Sequence, residues 1–169
     1  MKRFPKRTYQ SLGQFLGDLA FLFGNRRAVR RVMRGDGLDP KFRERIMLAV
    51  TEVNECRYCS RAHTRMALDA GVSREDIEAI LSGSLDGVPE EERTAVLYAQ
   101  HWAETEGRPE AAAVERLEST YGKELAEQMH IALRVIRTGN FTGNTLDCFL
   151  YTLSLGRLGG VCASETPAS

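Results

Sequence analysis

The sequence predicts an all-α fold, and three observations support this expectation. Apolar residues recur at spacings of three and four along nearly the whole chain. No segment shows the sustained alternation of apolar and polar residues that is typical of a half-buried strand. Asp39-Pro40 and the stretch from Val72 to Ile77 have the residue types of helix starts. A chain of 169 residues can bury a hydrophobic core, so we expect one main helical domain.

The first 35 residues combine strong positive charge with an amphipathic segment. They contain nine Lys or Arg residues and one acid, Asp18. Between Leu12 and Phe23 the apolar residues have helical spacing, and Asp18 interrupts the run that otherwise resembles a signal peptide. We therefore expect a basic N-terminal helical arm over residues 1–35. The arm is expected to pair with acidic surface of the same or a neighbouring subunit, the alternative being a contact with nucleic acid or membrane.

The overall composition argues against two classes of protein. The formal net charge of zero argues against a nucleic-acid partner for the chain as a whole. The sequence contains no run of about 18 apolar residues, which is the length that a membrane span needs. We expect a cytoplasmic protein. In a reducing compartment four cysteines do not indicate a disulfide framework. Cys56 and Cys59 form a C-x-x-C pair, whereas Cys148 and Cys162 are isolated.

Start and stop signals predict the order of the helices. One helix begins at Asp39-Pro40 and loosens near Asn54, and the next carries residues 56–70 and ends at Gly71. Another begins after Ser73, followed by a loop at 83–90 that is rich in Gly, Asp and Pro. Further helices are predicted at about 90–105, 109–120, 123–138 and 142–157, within a domain of residues 36–160, and the tail at 161–169 is expected to fray.

Cys56, Cys59 and His63 form the pattern with the most specific chemistry. At about 100° per residue, the three side chains lie on one face of a helix. Two thiols three residues apart can join as a disulfide in the first helical turn, where unpaired backbone N–H groups stabilise a thiolate. His63 lies one turn beyond Cys59 and is placed to accept its proton directly or through one water. The pattern predicts a redox-active dithiol.

Two other interpretations of this pattern stay open. The three side chains supply three zinc ligands, but a structural zinc site takes four and no second ligand pair is visible. The cysteines are otherwise ordinary buried side chains, although two thiols and a histidine on one helical face are unusual for packing alone. We expect neither a metal ion nor a cofactor. His101 and His130 have no partners at ligand spacing, so we do not expect them to be site residues.

A longer stretch around the dithiol has a recognisable spacing. Glu44 precedes Cys56 by twelve residues, and His63 follows Cys59 by four. In this respect the chain resembles the alkyl hydroperoxidase D (AhpD-like) group of the carboxymuconolactone decarboxylase superfamily. The resemblance is close over about residues 41–82. It is looser over residues 139–144, which are similar to an asparagine-containing turn before the last helix of that family.

The resemblance implies an AhpD-like helical bundle that assembles as a homo-oligomer, either a trimer or a hexamer. It also implies a peroxidase or disulfide oxidoreductase, whose substrate is a hydroperoxide or a disulfide. Cys59 would form a sulfenic acid, Cys56 would resolve it, and His63 would pass the proton to Glu44. A lipoyl-bearing or thioredoxin-like thiol carrier would regenerate the dithiol.

The identity of the relay carboxylate depends on where the helix breaks. On one straight helix Glu52 lies a turn before Cys56 on the reactive face, and Glu44 does not. A break near Asn54 lets Glu44 fold back towards the dithiol. We therefore favour Glu44, with Glu52 and Glu55 as alternatives.

Two further functions are compatible with the same scaffold. The first is a lyase of the decarboxylase branch, but that branch does not use a C-x-x-C, so the dithiol counts against it. The second is a non-catalytic oligomeric module whose cysteines sense oxidation or hold zinc, with the basic arm contacting a partner.

Overall fold

The structure, a computed structural model, describes residues 6–155, 157 and 158. In this part of the chain it has eight helices and no strands, so the all-α prediction is confirmed. The helices are α1 (Leu12–Gly24), α2 (Arg26–Arg34), α3 (Pro40–Asn54), α4 (Arg57–Ala70), α5 (Arg74–Leu81), α6 (Glu90–Glu104), α7 (Ala111–Tyr121) and α8 (Lys123–Leu153). The predicted tail at 161–169 and Cys162 lie outside the described residues.

Helix α3 is the central element of the fold. It packs against α4, α5, α6 and α8. The Asp39 carboxylate caps its N-terminus by accepting hydrogen bonds from the backbone N–H groups of Lys41 and Phe42, which confirms the predicted start. Every residue from Phe42 to Thr51 is buried, including three charged ones. Because a buried charge needs a partner, these side chains must be paired inside the protein.

The connection between α3 and α4 consists of two residues. Helix α3 ends at Asn54, where the sequence predicts a break. Glu55 has a left-handed backbone (φ 53°, ψ 36°), and Cys56 is extended and forms the N-cap of α4. The sharp reversal lays α4 beside α3. At its other end α4 stops before Gly71, whose φ of 92° confirms the predicted glycine C-cap.

One predicted boundary is wrong. The sequence predicts two helices, at 123–138 and 142–157, and the family resemblance implies a turn at 139–144, but α8 continues unbroken from Lys123 to Leu153. Gly139 and Gly143 instead lie where α8 passes close to the sulfur atoms of the dithiol. The buried amides of Asn140 and Asn144 form hydrogen bonds with Asn54. These contacts outweigh the cost of about 1 kcal/mol for each glycine inside a helix.

The N-terminal segment packs against the rest of the chain. Helices α1 and α2 meet at Asn25, and both contact α8. The guanidinium of Arg43 donates hydrogen bonds to the carbonyls of Val32 and Met33 near the end of α2. Arg31 pairs with Glu124 of α8 at 3.2 Å. The contacts of Arg43 are with backbone carbonyls near a helix end, and the contact of Arg31 joins a basic to an acidic side chain of the same chain.

None of the described helices is long and apolar enough to cross a membrane.

Candidate functional site

The dithiol lies at the N-terminus of α4. The Sγ atom of Cys56 accepts a hydrogen bond from the backbone N–H of Cys59, with an N–S distance of 3.3 Å. Both cysteines are free thiols. Cys56 is 1% exposed, whereas Cys59 is partly exposed. A small molecule that arrives from solvent therefore reaches Cys59 more readily than Cys56.

The structure places the more stable thiolate at Cys56. A hydrogen bond from the Cys59 thiol is the main cause that lowers the pKa of Cys56 to about 7. Burial opposes this ionisation, while backbone N–H groups of Cys59 and Tyr58 and the charge of Lys6 favour it. The same thiol–thiolate hydrogen bond, together with burial, raises the pKa of Cys59. As the pH rises through about 7, the pair therefore gains one negative charge, and it lies on Cys56 rather than on Cys59.

Glu44 and His63 join α3 to α4 by a short contact. The Glu44 side chain is completely buried, and its Oε2 lies 2.7 Å from Nδ1 of His63. Its Oε1 accepts hydrogen bonds from Nε and Nη2 of Arg43 at 3.1 and 2.8 Å. Burial disfavours the charged carboxylate, but the bonds from His63 and Arg43 outweigh it and lower the pKa of Glu44. An ionised Glu44 holds the proton of the imidazole on Nδ1, which leaves Nε2 to exchange a proton.

The other two carboxylates considered for the relay point elsewhere. Glu52 faces the loop after α5, where its Oε1 lies 3.7 Å from the position that a Cβ atom would take at Gly83. Burial, followed by repulsion from Glu104 and Glu55, raises the pKa of Glu52. Glu55 is exposed at the C-cap of α3. Of the three carboxylates, Glu44 is the one that contacts His63.

Helix α8 forms the wall behind the two sulfur atoms. A Cβ atom on Gly143 would lie 2.9 Å from Sγ of Cys56, and one on Gly139 would lie 3.9 Å from Sγ of Cys59. Asn140 is fully buried and hydrogen-bonds to Asn54 and Thr51 of α3. It also opposes the rise in the pKa of Cys59. The sequence analysis assigned these residues to a turn and missed their position beside the dithiol. The available signal was the Gly-Asn pair repeated at a spacing of four, which places both pairs on one helix face.

A buried carboxylate lies one turn further along the same wall. The side chain of Asp147 is fully buried. Its Oδ1 accepts hydrogen bonds from Nη2 of Arg57 at 2.7 Å and from the hydroxyl of Tyr58 at 2.8 Å. Its Oδ2 lies 3.7 Å from Nζ of Lys6, in the segment before α1. Sequence reasoning also missed the pairing of Lys6 with Asp147, because the two residues lie at opposite ends of the chain.

In the described part of the chain, no three His, Cys, Asp or Glu side chains are arranged to hold a metal ion.

Substituting the two wall glycines is expected to have opposite effects. Alanine at Gly139 makes only ordinary van der Waals contact and should stabilise α8 by up to about 1 kcal/mol. Alanine at Gly143 must displace the sulfur of Cys56 and should destabilise the protein by about 1–3 kcal/mol. Urea unfolding of the two reduced variants, with thiolate absorbance followed against pH, measures both effects. Equal stability and unchanged thiol titration in the two variants would show that Gly143 is not needed to accommodate the sulfur.

Comparison of the chain with curated proteins and with solved structures gives no match. Comparison with protein-family models gives a match that spans residues 21–101, from within α1 to within α6. The matched region contains the Glu44–His63 contact and both cysteines of the dithiol. Over these residues the chain matches the carboxymuconolactone decarboxylase family.

Proposed function

We propose that the protein is a thiol-dependent peroxidase of the alkyl hydroperoxidase D type that acts in the cytoplasm. It would reduce hydroperoxides through the dithiol of Cys56 and Cys59. The observation that most supports this proposal is the 2.7 Å contact between Glu44 and His63. It supplies an oriented imidazole on the helix that starts at the dithiol, one turn beyond Cys59.

The first chemical step would occur at Cys59, the more accessible sulfur. The thiol proton passes to Nε2 of His63 as the sulfur attacks the terminal peroxide oxygen. The O–O bond breaks and the departing alkoxide takes the proton from the imidazolium, which releases an alcohol. The sulfur loses two electrons and becomes a sulfenic acid, while the peroxide is reduced by the same two electrons. Glu44 stabilises the imidazolium that forms transiently.

The second step would use the thiolate that the structure stabilises on Cys56. This sulfur attacks the sulfur of the Cys59 sulfenic acid, the S–O bond breaks, and hydroxide leaves to become water with a proton from solvent. A disulfide between Cys56 and Cys59 results. An external dithiol then reduces it by thiol–disulfide exchange, for which we propose a lipoyl-bearing or thioredoxin-like carrier.

Turnover of a panel of hydroperoxides against a panel of thiol reductants tests the proposal. We expect catalytic consumption of at least one alkyl or hydrogen peroxide, with a dithiol more effective than a monothiol. The Cys148→Ser variant is the matched control and should keep full activity, because Cys148 is a free cysteine outside the C-x-x-C pair. If no hydroperoxide oxidises the protein, the peroxidase is refuted, and the lyase or the non-catalytic module becomes the better hypothesis.

We also propose that the protein is a homo-oligomer. Several large apolar side chains at the end of α8 and on α1 are more than half exposed in the single chain: Leu12, Leu16, Phe23, Leu146, Phe149 and Leu153. Apolar surface of this kind is typical of an interface between copies. Light scattering at micromolar concentration is expected to show a trimer or a multiple of it, and Phe149→Asp should weaken it. A stable monomer would contradict the proposal.

A further inference from the structure

The segment before α1 crosses α8 beside the dithiol. The backbone N–H of Tyr9 donates to the hydroxyl of Thr145 at 3.1 Å. The carbonyl of Arg7 accepts a hydrogen bond from Asn144 at 3.0 Å, and the same amide nitrogen also bonds to the carbonyl of Asn54, beside the start of α4. These contacts fix the segment on the part of α8 that faces the sulfur atoms.

This path buries the side chain of Lys6 completely. Its Nζ lies 3.7 Å from Oδ2 of Asp147, whose side chain is also fully buried. Among the described residues, no group donates a hydrogen bond to this Oδ2. The ion pair with Lys6 therefore offsets the cost of burying this oxygen. Asp147 is one turn beyond Gly143, which abuts the sulfur of Cys56. A buried cation therefore lies near two groups that carry negative charge in the reduced protein.

We propose that Lys6 is a positioning residue for the dithiol, which balances Asp147 and thereby keeps the negative charge of the reduced pair on Cys56. The inference rests on the proposed function in one respect, namely that this charge is used in chemistry.

The charges around Cys56 explain why one lysine matters. Three charged or titratable groups act on Cys56 directly, namely Cys59 and Tyr58 of α4 and Lys6 of the N-terminal segment. Lys6 and Tyr58 in turn contact Asp147 of α8, which also pairs with Arg57. The side chain of Arg57 is about a third exposed (32%), so solvent screens its charge more than that of Lys6. Without Lys6, the buried Asp147 carboxylate, one turn beyond the glycine that abuts Cys56, would lose its compensation, and the thiolate would lose a favourable charge. Repulsion between like charges disfavours ionisation.

Three substitutions in the full-length reduced protein test the proposal, with thiolate absorbance near 240 nm followed against pH. Lys6→Met removes the charge and should raise the lower thiol pKa by about one unit. Lys6→Arg keeps the charge and should restore most of the original value. Asp147→Asn removes the opposing anion and should lower the pKa below that of the unmodified protein.

Arg7→Met is the matched control. Arg7 is the neighbouring residue of the same segment, but its guanidinium bonds to the carbonyls of Ala103 and Glu104 at the end of α6. Its removal should leave the thiol titration unchanged. An equal rise in Arg7→Met would show that detachment of the segment, not the charge of Lys6, is responsible, and would overturn the proposal.

Other outcomes are equally decisive. A Lys6→Met protein that folds and titrates like the unmodified protein overturns the proposal. If Lys6→Met does not fold, Asp147→Asn decides alone, since an unchanged or raised thiol pKa there is incompatible with the proposed balance. The measurement needs no peroxide. If the pKa rises in Lys6→Met and falls in Asp147→Asn but the protein reduces no peroxide, the peroxidase proposal is refuted and the role of Lys6 is supported. If the protein is an active peroxidase but these pKa shifts are absent, only the role of Lys6 is refuted.

Discussion

Replacing Cys59 by serine is expected to abolish the reaction with hydroperoxides, whereas replacing Cys56 should leave one round of oxidation. Cys56 is 1% exposed behind α8, so its thiolate is shielded from a peroxide in solution when Cys59 is absent. In Cys56→Ser the sulfur of Cys59 stays accessible, and His63 is still one turn away. This variant should consume about one equivalent of peroxide and stop as a sulfenic acid, because no resolving thiol remains.

Mass spectrometry separates these outcomes. Each variant is treated with one equivalent of hydroperoxide in the presence of a reagent that traps sulfenic acids. The expected adduct lies on Cys59 in the Cys56→Ser protein. An adduct on Cys56 in the Cys59→Ser protein, with none in the other variant, would reverse the two roles. The lowered pKa of Cys56 makes that reversal the main competing mechanism, since reactivity follows both thiolate content and access.

Loss of the imidazole or its carboxylate is expected to have a comparably large effect on the first step. His63→Ala and Glu44→Gln should slow sulfenic acid formation by about 10²–10⁴-fold, the usual contribution of general acid–base assistance. Glu52→Gln is the matched control, because Glu52 lies on the same helix as Glu44 but faces Gly83. Its rate should change little. Single-turnover oxidation measured by rapid quench checks the comparison, and equal rates for the Glu44 and Glu52 variants would remove Glu44 from the mechanism.

The same carboxylate makes stability depend on pH. The bonds from His63 and Arg43 outweigh burial and lower the pKa of Glu44 from its ordinary value of 4.5. The ionised group therefore contributes stability that is fully present above about pH 4.5 and is lost as the pH falls through the lower, folded value. The free energy of unfolding should fall in this acidic range more steeply in the unmodified protein than in Glu44→Gln. Parallel curves for the two proteins would contradict this assignment.

The sequence predicts those features of the fold whose physical cause lies within a few neighbouring residues. The start of α3 depends on Asp39 and Pro40, which cap and initiate a helix within one turn, and Gly71 ends α4 for an equally local reason. The end of α3 near Asn54 could also be predicted, and it decides that Glu44 rather than Glu52 faces α4. These features need no knowledge of the tertiary structure.

The remaining features depend on contacts between distant segments. Gly139-Asn140 has the composition of a turn, and only the presence of α3 and α4 against α8 shows why it stays helical. Nothing near Lys6 indicates that its side chain will be buried, because its partner Asp147 lies at the other end of the chain. A sequence pattern identifies the reacting atoms, but the groups that set their charge come from across the fold.

The charge held on Cys56 also has a consequence for the redox couple. A folded protein that stabilises the thiolate of a dithiol favours the reduced state, so the reduction potential of this pair should be higher than that of an unperturbed dithiol. Folding and oxidation are then coupled through one thermodynamic cycle. The disulfide gives up those thiolate contacts, and the oxidised protein should unfold more readily than the reduced protein. A structural disulfide strengthens a fold when it forms, whereas this one would weaken its fold and be reduced with ease.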